Sequence, residues 1–227
     1  MARDRLTVLR AILDSGAVPT FTPLDAAAAR RVVSACAEAG APVVEVTNRA
    51  TGTVGLFRDL VSWAAQEYPG AILGAGTVID APTAALFIDA GAEFVVSPIF
   101  TEDVARLCNR RRIPYLPGCG TATEISHAEE WGVEIVKLFP AGAYDGPAFV
   151  RGIHGPSPAT RIMPTNVEAT EEATRAWFAA GVACVGVGPR LISDALQADP
   201  DPSALRARLR EYMGWVRAAR EVGAPAA

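Results

Sequence analysis

The sequence predicts a single α/β domain folded as a (β/α)8 barrel, the TIM-barrel architecture. Short β-type runs alternate with longer amphipathic stretches along the chain, and several runs are rich in Val and Ile and almost continuously apolar, as buried parallel strands should be. Eight such runs, each followed by a helical pattern, favour a barrel. The alternative is an open doubly wound sheet, but no Gly-x-Gly-x-x-Gly run follows the first strand.

The predicted elements follow one another as strand and helix. The strands span residues 17–21, 42–47, 71–78, 94–98, 114–119, 134–140, 161–165 and 182–188. The helices span residues 25–39, 55–68, 81–90, 102–111, 123–131, 147–153 and 171–180. Just past four of the helices stand glycines that can end a helix in the left-handed conformation: Gly40, Gly91, Gly132 and Gly181. The run TATE at 121–124 fits a capping box that opens a helix directly after a strand.

The length and composition suit one globular domain over residues 1–227. Half of the residues are hydrophobic and 20% are charged, so the chain can bury a core without disulfides or metals. A final amphipathic segment at about 203–222 follows the proline-rich run DPDP at 199–202 and predicts a C-terminal helix.

The charge and hydropathy exclude several classes of partner. A formal net charge of -4 and an isoelectric point near 5.3 give no reason to expect nucleic-acid or anionic-membrane binding. No apolar stretch approaches the length of a membrane span, and Asp4 and Asp14 stand where a signal peptide would be continuously apolar. The four cysteines show no CxxC spacing, which predicts reduced thiols in a cytoplasmic protein.

One residue type is almost missing, since 20 of the 21 basic residues are arginines and Lys137 is the only lysine. Surface positions usually accept either residue, but arginine stays protonated and cannot act as an amine nucleophile, whereas a desolvated lysine can. Lys137 lies in the run EIVKLFP, where apolar surroundings would lower the pKa of its amine. The alternative is a lysine that extends from a strand edge or pairs with a core carboxylate. The absence of other lysines favours a catalytic amine.

The carboxyl ends of barrel strands are where functional side chains gather. Glu45 lies inside an apolar strand, where it could be a buried partner of Lys137, a general acid and base, or both. Arg49, four residues on, could bind a substrate carboxylate through paired hydrogen bonds or be an ordinary surface arginine. The other segments at strand ends are 74–77, 97–98, 117–121, 137–140, 164–166 and 186–190.

Metal and thiol chemistry find little support in the sequence. The two histidines, His127 and His154, belong to no cluster with metal-ligand spacing, so we predict no metal site and no cofactor. Cys119 falls near the predicted barrel mouth, but no neighbouring residue marks it as a nucleophile, and we interpret it as a small lining residue.

Over about residues 6–196 the sequence resembles the class I aldolases for 2-keto-3-deoxy-6-phosphogluconate and 4-hydroxy-2-oxoglutarate. The motifs that carry the resemblance are VEVTNR at 44–49, GAGTV at 74–78, SP at 97–98, PGCGT at 117–121 and VKLFP at 136–140. The resemblance implies that Lys137 forms a Schiff base with a 2-keto acid and that Glu45 moves the protons. It implies further that Arg49 and Thr77 hold the keto-acid carboxylate and that Pro98 and Phe139 shape the pocket. It also implies a barrel that assembles as a homotrimer and needs no metal.

Two turns depart from the family pattern, which binds phosphate with a Pro-Thr-Gly-Gly turn after the seventh strand and a Gly-Ser pair after the eighth. Here the first reads PTNV at 164–167, so that Thr165 remains but the glycines are lost. The second reads Gly188, Pro189, Arg190, which removes an N–H and a hydroxyl, although Arg190 could restore some charge. We therefore expect Thr165, Gly188 and Arg190 to contact the substrate and favour an unphosphorylated 2-keto-4-hydroxy acid.

Two other functions remain open from the sequence. The same Schiff base could lead to dehydration or decarboxylation of a keto acid, and product analysis would separate these reactions from aldol cleavage, which yields pyruvate and an aldehyde. A catalytically silent barrel that binds sugar acids would fit the altered turns, but the retained set of Lys137, Glu45 and Arg49 opposes it.

Overall fold

Strands and helices alternate in the predicted order in the structure, a computed structural model that describes residues 3–143 and 145–223. The strands are β1 (Ala17–Phe21), β2 (Val43–Thr47), β3 (Ile72–Gly76), β4 (Val95–Val96), β5 (Tyr115–Leu116), β6 (Gly118–Cys119), β7 (Val136–Leu138), β8 (Ile162–Pro164) and β9 (Val185–Val187). The helices are α1 (Arg5–Ser15), α2 (Ala26–Glu38), α3 (Thr53–Glu67), α4 (Ala81–Asp89), α5 (Glu102–Arg111), α6 (Ala122–Glu130), α7 (Gly146–His154), α8 (Glu171–Ala179), α9 (Asp194–Ala198) and α10 (Ser203–Gly223). Residues 1–2, 144 and 224–227 of the predicted domain lie outside the described residues.

Parallel pairing joins the strands into a curled sheet. Within the described residues, hydrogen bonds order the strands β5-β4-β3-β2-β1-β9 in one group and β6-β7-β8 in a second. An isolated parallel bridge between Thr165 and Gly186 links the end of β8 to β9. Pro117 divides the predicted fifth strand into β5 and β6, because proline has no N–H to donate to the ladder. The chain therefore has a TIM-barrel-like α/β fold built on a parallel sheet.

A cluster of buried apolar side chains, the inner core, lies inside the curled sheet, mostly near the amino-terminal ends of the strands. Val8, Leu9 and Ile12 of α1 pack there against apolar side chains that stand mostly near the starts of strands. These residues lie in the strands or directly before them: Val18, Val43, Ile72, Phe94, Val96, Leu116, Ile135, Met163 and Cys184. A second, larger cluster contains apolar residues of both the strands and the surrounding helices. Helix α1 thus covers one end of the inner core.

Helix α1 was not among the predicted elements, and local chemistry explains its bounds. The side chain of Asp4 accepts hydrogen bonds from the backbone N–H groups of Leu6 and Thr7 and begins the helix. Gly16 ends it in the left-handed conformation, with φ 69°. The short helix α9 was not predicted either, and Ser193 caps it by accepting from the N–H of Leu196.

The predicted helix ends are confirmed, with one refinement. All four glycines named above have positive φ, between 80° and 100°. Thr121 caps α6 by accepting from the N–H of Glu124 at 3.2 Å, as a capping box requires. The Glu124 carboxylate, however, accepts from the N–H of Gly120 at 2.7 Å, one residue before the cap.

The C-terminal helix is also confirmed, as α10. Its buried face packs against α8 and α2 through Leu205, Leu209, Tyr212, Met213 and Val216. None of the helices in the described part of the chain combines the length and the apolar character that crossing a membrane requires.

Candidate active site

Polar side chains form a layer next to the inner core, nearer the carboxyl ends of the strands. Strand side chains alternate between faces, so residues two apart point to the same side of the sheet. On three strands an apolar residue of the inner core is followed two positions later by a polar one. These pairs are Val18 and Thr20 on β1, Val43 and Glu45 on β2, and Ile135, directly before β7, with Lys137 on β7.

Lys137 is buried, with 8% of its surface exposed. Its Nζ lies 5.0 Å from the centroid of the Phe139 ring, close enough for a cation–π contact when the amine is protonated. Burial lowers the pKa of the Lys137 amine below its usual value, the nearby Glu45 carboxylate opposes this shift, and the Arg49 guanidinium adds to it. The environment therefore raises the fraction of the neutral, nucleophilic amine.

Glu45 is held between the two strands that flank β2, and only 2% of it is exposed. From β1, the hydroxyl of Thr20 donates to Glu45 Oε2 at 3.3 Å, and the register pairs these two residues directly. On the β3 side, the carboxylate lies against the backbone of Gly76, where any Cβ would overlap Oε1. Glycine at position 76 therefore makes the space that the carboxylate occupies.

Arg49 is exposed just beyond β2, and its Nε donates to Thr77 Oγ1 at 3.3 Å. Thr77 has φ 59°, a left-handed conformation that is rare for a β-branched residue. Backbone hydrogen bonds fix both sides of this turn, from Asn48 N to Gly76 O at 2.8 Å and from Val78 N to Val96 O at 3.2 Å. The strained turn thereby presents the Thr77 hydroxyl to the guanidinium.

A cavity of about 290 Å³ brings most of the predicted site residues together. Those that line it are Glu45, Arg49, Lys137, Phe139, Thr165 and Gly188. Thr77 is joined to them through Arg49, while Pro98 lines a neighbouring cavity of about 450 Å³ that shares the Phe139 wall. Arg190 is directed elsewhere, because its Nη1 is paired with the carboxylate of Glu168.

Several lining residues were not predicted from the sequence. Thr20 and Thr22 stand at the carboxyl end of β1, and Thr47 ends β2. Asn166 and Pro189, which belong to the predicted strand-end segments 164–166 and 186–190, complete the wall near them. The hydroxyls of Thr22 and Thr47 lie 2.6 Å apart and share a hydrogen bond. The rule that selects strand ends would have found the two β1 residues had it been applied to the first strand.

In the turns that follow β8 and β9, three backbone N–H groups already donate to carbonyl groups of the protein. Thr165 N donates to Leu138 O at 3.3 Å, and Leu191 N and Ile192 N both donate to Gly188 O, at 2.9 and 3.0 Å. Pro189 has no N–H at all. Asn166 keeps a left-handed conformation, with φ 60°, so the turn after β8 survives the loss of glycine because asparagine tolerates this region.

Thiols and metal ligands contribute little to this site. Cys119 is buried outside the cavity wall, and burial raises the pKa of its thiol to about 12, which keeps it protonated near neutrality. Among the described residues, no three His, Cys, Asp or Glu side chains are grouped as metal ligands would be.

Comparisons with known proteins agree with this geometry. A model of the family described as "Aldolase: KDPG and KHG aldolase" matches residues 11–207. The chain is 32% identical over 193 residues to the KHG/KDPG aldolase of Escherichia coli K12, covering 85% of this chain and 89% of that protein. It is 35% identical over 155 residues to the 2-dehydro-3-deoxy-phosphogluconate aldolase of Pseudomonas aeruginosa, covering 68% and 69%. The crystal structure of the Zymomonas mobilis ZM4 2-keto-3-deoxy-6-phosphogluconate aldolase with 3-phosphoglycerate superposes with a TM-score of 0.80 at 26% identity, covering 96% of this chain and 99% of that one. The chain belongs to the KDPG and KHG aldolase family.

Proposed function

We propose that this protein is a Schiff-base, or class I, aldolase that reversibly cleaves a 2-keto-4-hydroxy acid to pyruvate and an aldehyde. The observation that carries the proposal is the burial of Lys137 and Glu45 in the wall of one cavity that also reaches Arg49. A buried amine with a lowered pKa can attack a carbonyl, and a buried carboxylate beside it can carry protons.

The cleavage begins when the neutral amine of Lys137 attacks the C2 carbonyl of the keto acid. Loss of water from the carbinolamine gives an iminium ion, which accepts the electron pair of the C3–C4 bond when that bond breaks. Glu45 accepts the proton of the C4 hydroxyl as the aldehyde leaves, and then returns a proton to C3 of the enamine. Water hydrolyses the resulting iminium, releasing pyruvate and free Lys137.

The other site residues orient the substrate in this scheme. Arg49 binds the C1 carboxylate through paired, charge-assisted hydrogen bonds, and the Thr77 hydroxyl adds a donor beside it. The Phe139 ring and Pro98 bound the apolar side of the reacting carbons, and Thr165 and Gly188 contact the aldehyde half.

The far end of the cavity favours a substrate without a 6-phosphate. Phosphate sites at turns depend on backbone N–H groups that converge on the anion. Here three amides near that end donate to carbonyl groups of the protein, and proline occupies position 189. A substrate whose far end is uncharged and carries hydroxyl groups can form hydrogen bonds with the threonine and asparagine side chains that line the wall.

The amine mechanism can be tested by trapping. We expect that pyruvate and borohydride together inactivate the enzyme and that mass spectrometry maps the reduced adduct to Lys137. The variant Lys137→Arg keeps the charge and should form no adduct. An adduct elsewhere, or none under conditions that trap a known Schiff-base aldolase, would overturn the mechanism. Products other than pyruvate and an aldehyde would instead indicate a dehydratase or decarboxylase.

We infer that residues 1–227 form one domain in which the strands close into a (β/α)8 barrel. Two contacts support closure: the bridge from Thr165 to Gly186, and the hydrogen bond from Gly118 N of β6 to Ser97 O after β4 at 3.0 Å. Size-exclusion chromatography of the intact chain and limited proteolysis would reveal a second, separable unit if one existed.

A homotrimer in the cytoplasm is the expected working form. Exposed apolar side chains support self-association: Ile79, Leu86 and Ile99 are 54–56% exposed on or just before α4 and α5, which pack together. The four cysteines are free and buried, as in proteins of reducing compartments. Light scattering would measure the oligomer, and a monomer at micromolar concentration would contradict the trimer.

A further inference from the structure

The loops that follow β8 and β9 are joined by an ion pair between Glu168 and Arg190. The pair connects Arg190 Nη1 to Glu168 Oε1, and the two side chains are 49% and 55% exposed, respectively. The backbone carbonyl of Arg190 also accepts from Arg208 Nη2 of α10 at 3.0 Å, which anchors the loop. Arg190 directly follows Pro189, a residue of the cavity wall.

The charged side chains of the wall itself are already used by the proposed reaction. Among the described residues that line the cavity they are Glu45, Arg49 and Lys137, which move protons, bind the carboxylate and form the Schiff base. The rest of the wall near Pro189 is neutral. A substrate with a second anionic group at its far end would find no further cation in the wall, and Arg190 is the cation next in the chain to its residue Pro189.

We propose that Glu168 is a specificity-determining residue, which selects against a phosphate at the far end of the substrate by keeping Arg190 in an ion pair. This inference rests on the proposed aldolase function. A phosphate dianion that recruits the guanidinium must displace the Glu168 carboxylate and then lie near its negative charge. A substrate with a neutral, hydroxylated end neither displaces the Glu168 carboxylate nor meets repulsion from its charge.

The expected size of the effect follows from the exposure of the pair. Half-exposed ion pairs are weak because water competes for both charges, so Glu168 should change selectivity by up to about five-fold rather than by orders of magnitude. A pair that only ties the two loops together would act differently. Its loss would lower stability without changing the ratio between phosphorylated and unphosphorylated substrates.

The test compares 2-keto-3-deoxy-6-phosphogluconate with its unphosphorylated counterpart in four purified proteins. Glu168→Gln should raise kcat/KM for the phosphorylated substrate about five-fold and change the other less than two-fold. The double variant Glu168→Gln/Arg190→Gln should lose this gain. Glu171→Gln is the matched control, since it removes the same charge from the half-exposed pair with Arg175 on α8. Its substrate ratio should equal that of the natural protein.

A binding measurement completes the test without turnover. Inorganic phosphate should inhibit Glu168→Gln at a several-fold lower concentration than it inhibits the natural protein or Glu171→Gln. An unchanged substrate ratio and unchanged phosphate inhibition in Glu168→Gln would overturn the role of Glu168. Absence of aldol cleavage with both substrates in the natural protein would instead overturn the aldolase function, so the two failures are distinguishable.

Discussion

The carboxylate of Glu45 rests on the backbone of Gly76, where no other residue leaves room for it. A Cβ on Gly76 would overlap Oε1, so Gly76→Ala must push the carboxylate away from its place beside Lys137. A misplacement of about 1 Å can cost roughly 100-fold in rate, and we expect a loss of that size in kcat. Steady-state cleavage assays measure it.

A second glycine provides the control for this substitution. Gly214 lies in the middle of α10 with open space where a Cβ would be, so Gly214→Ala should leave activity unchanged. It should also stabilise the fold by about 0.5–1 kcal/mol, because alanine is the better helix former. Full activity in folded Gly76→Ala would show that the position of Glu45 does not govern the reaction.

The hydroxyl of Thr20 positions Glu45. Thr20 Oγ1 donates to Glu45 Oε2, so Thr20→Val should lower kcat/KM about ten-fold. Thr20→Ser retains a hydroxyl and should restore the rate. Thr22→Val is the control, since Thr22 bonds to Thr47 rather than to Glu45, and it should lower kcat/KM less than Thr20→Val does. An unchanged kcat/KM in folded Thr20→Val would refute this role.

Schiff-base formation should increase with pH because only the neutral amine of Lys137 attacks the keto acid. Burial lowers the pKa of Lys137, so the half-maximal trapping rate with pyruvate and cyanoborohydride should fall below pH 10.5, the usual lysine value. Arg49→Gln should move this midpoint upward and Glu45→Gln downward, since these charges act on the amine with opposite signs. Shifts in the reverse directions would contradict the electrostatic account.

The backbone conformation of Thr77 lowers the stability of the fold but places the threonine hydroxyl beside Arg49. A β-branched residue at φ 59° is strained by about 1 kcal/mol or more, and asparagine accepts this conformation more easily. Thr77→Asn should therefore raise the free energy of unfolding by about 1 kcal/mol in urea titrations. It should also raise KM for the keto acid, because the hydroxyl beside Arg49 is lost. A destabilised variant would mean that the turn is not strained.

The sequence predicted the order of elements well because helix and strand periods differ and because glycines and capping residues mark helix ends. It did not predict α1, which precedes the first strand and has only Val8, Leu9 and Ile12 to signal a buried face. Pro117 was included in one continuous strand, although a missing N–H breaks the ladder there.

For the candidate site, the isolated lysine and the carboxylate in an apolar strand were informative because burial of a charge requires a reason. The partners of these groups were harder to predict. Contacts from Thr20 and Gly76 to Glu45 depend on strand register, which joins residues about 25 and 31 positions apart in the chain. The pairing of Arg190 with Glu168 likewise depends on how two loops meet, and no local pattern encodes it.

Helix α1 makes the reactivity of the amine depend on a segment that never meets the substrate. Its apolar face packs against Ile135 and the other inner-core residues and shields them from water. Lys137 stands two positions beyond Ile135. Water admitted through the inner core would rehydrate the ammonium form and return its pKa toward that of a free lysine. By keeping water out of the inner core beneath the cavity, helix α1 therefore helps to keep the amine of Lys137 in its neutral form.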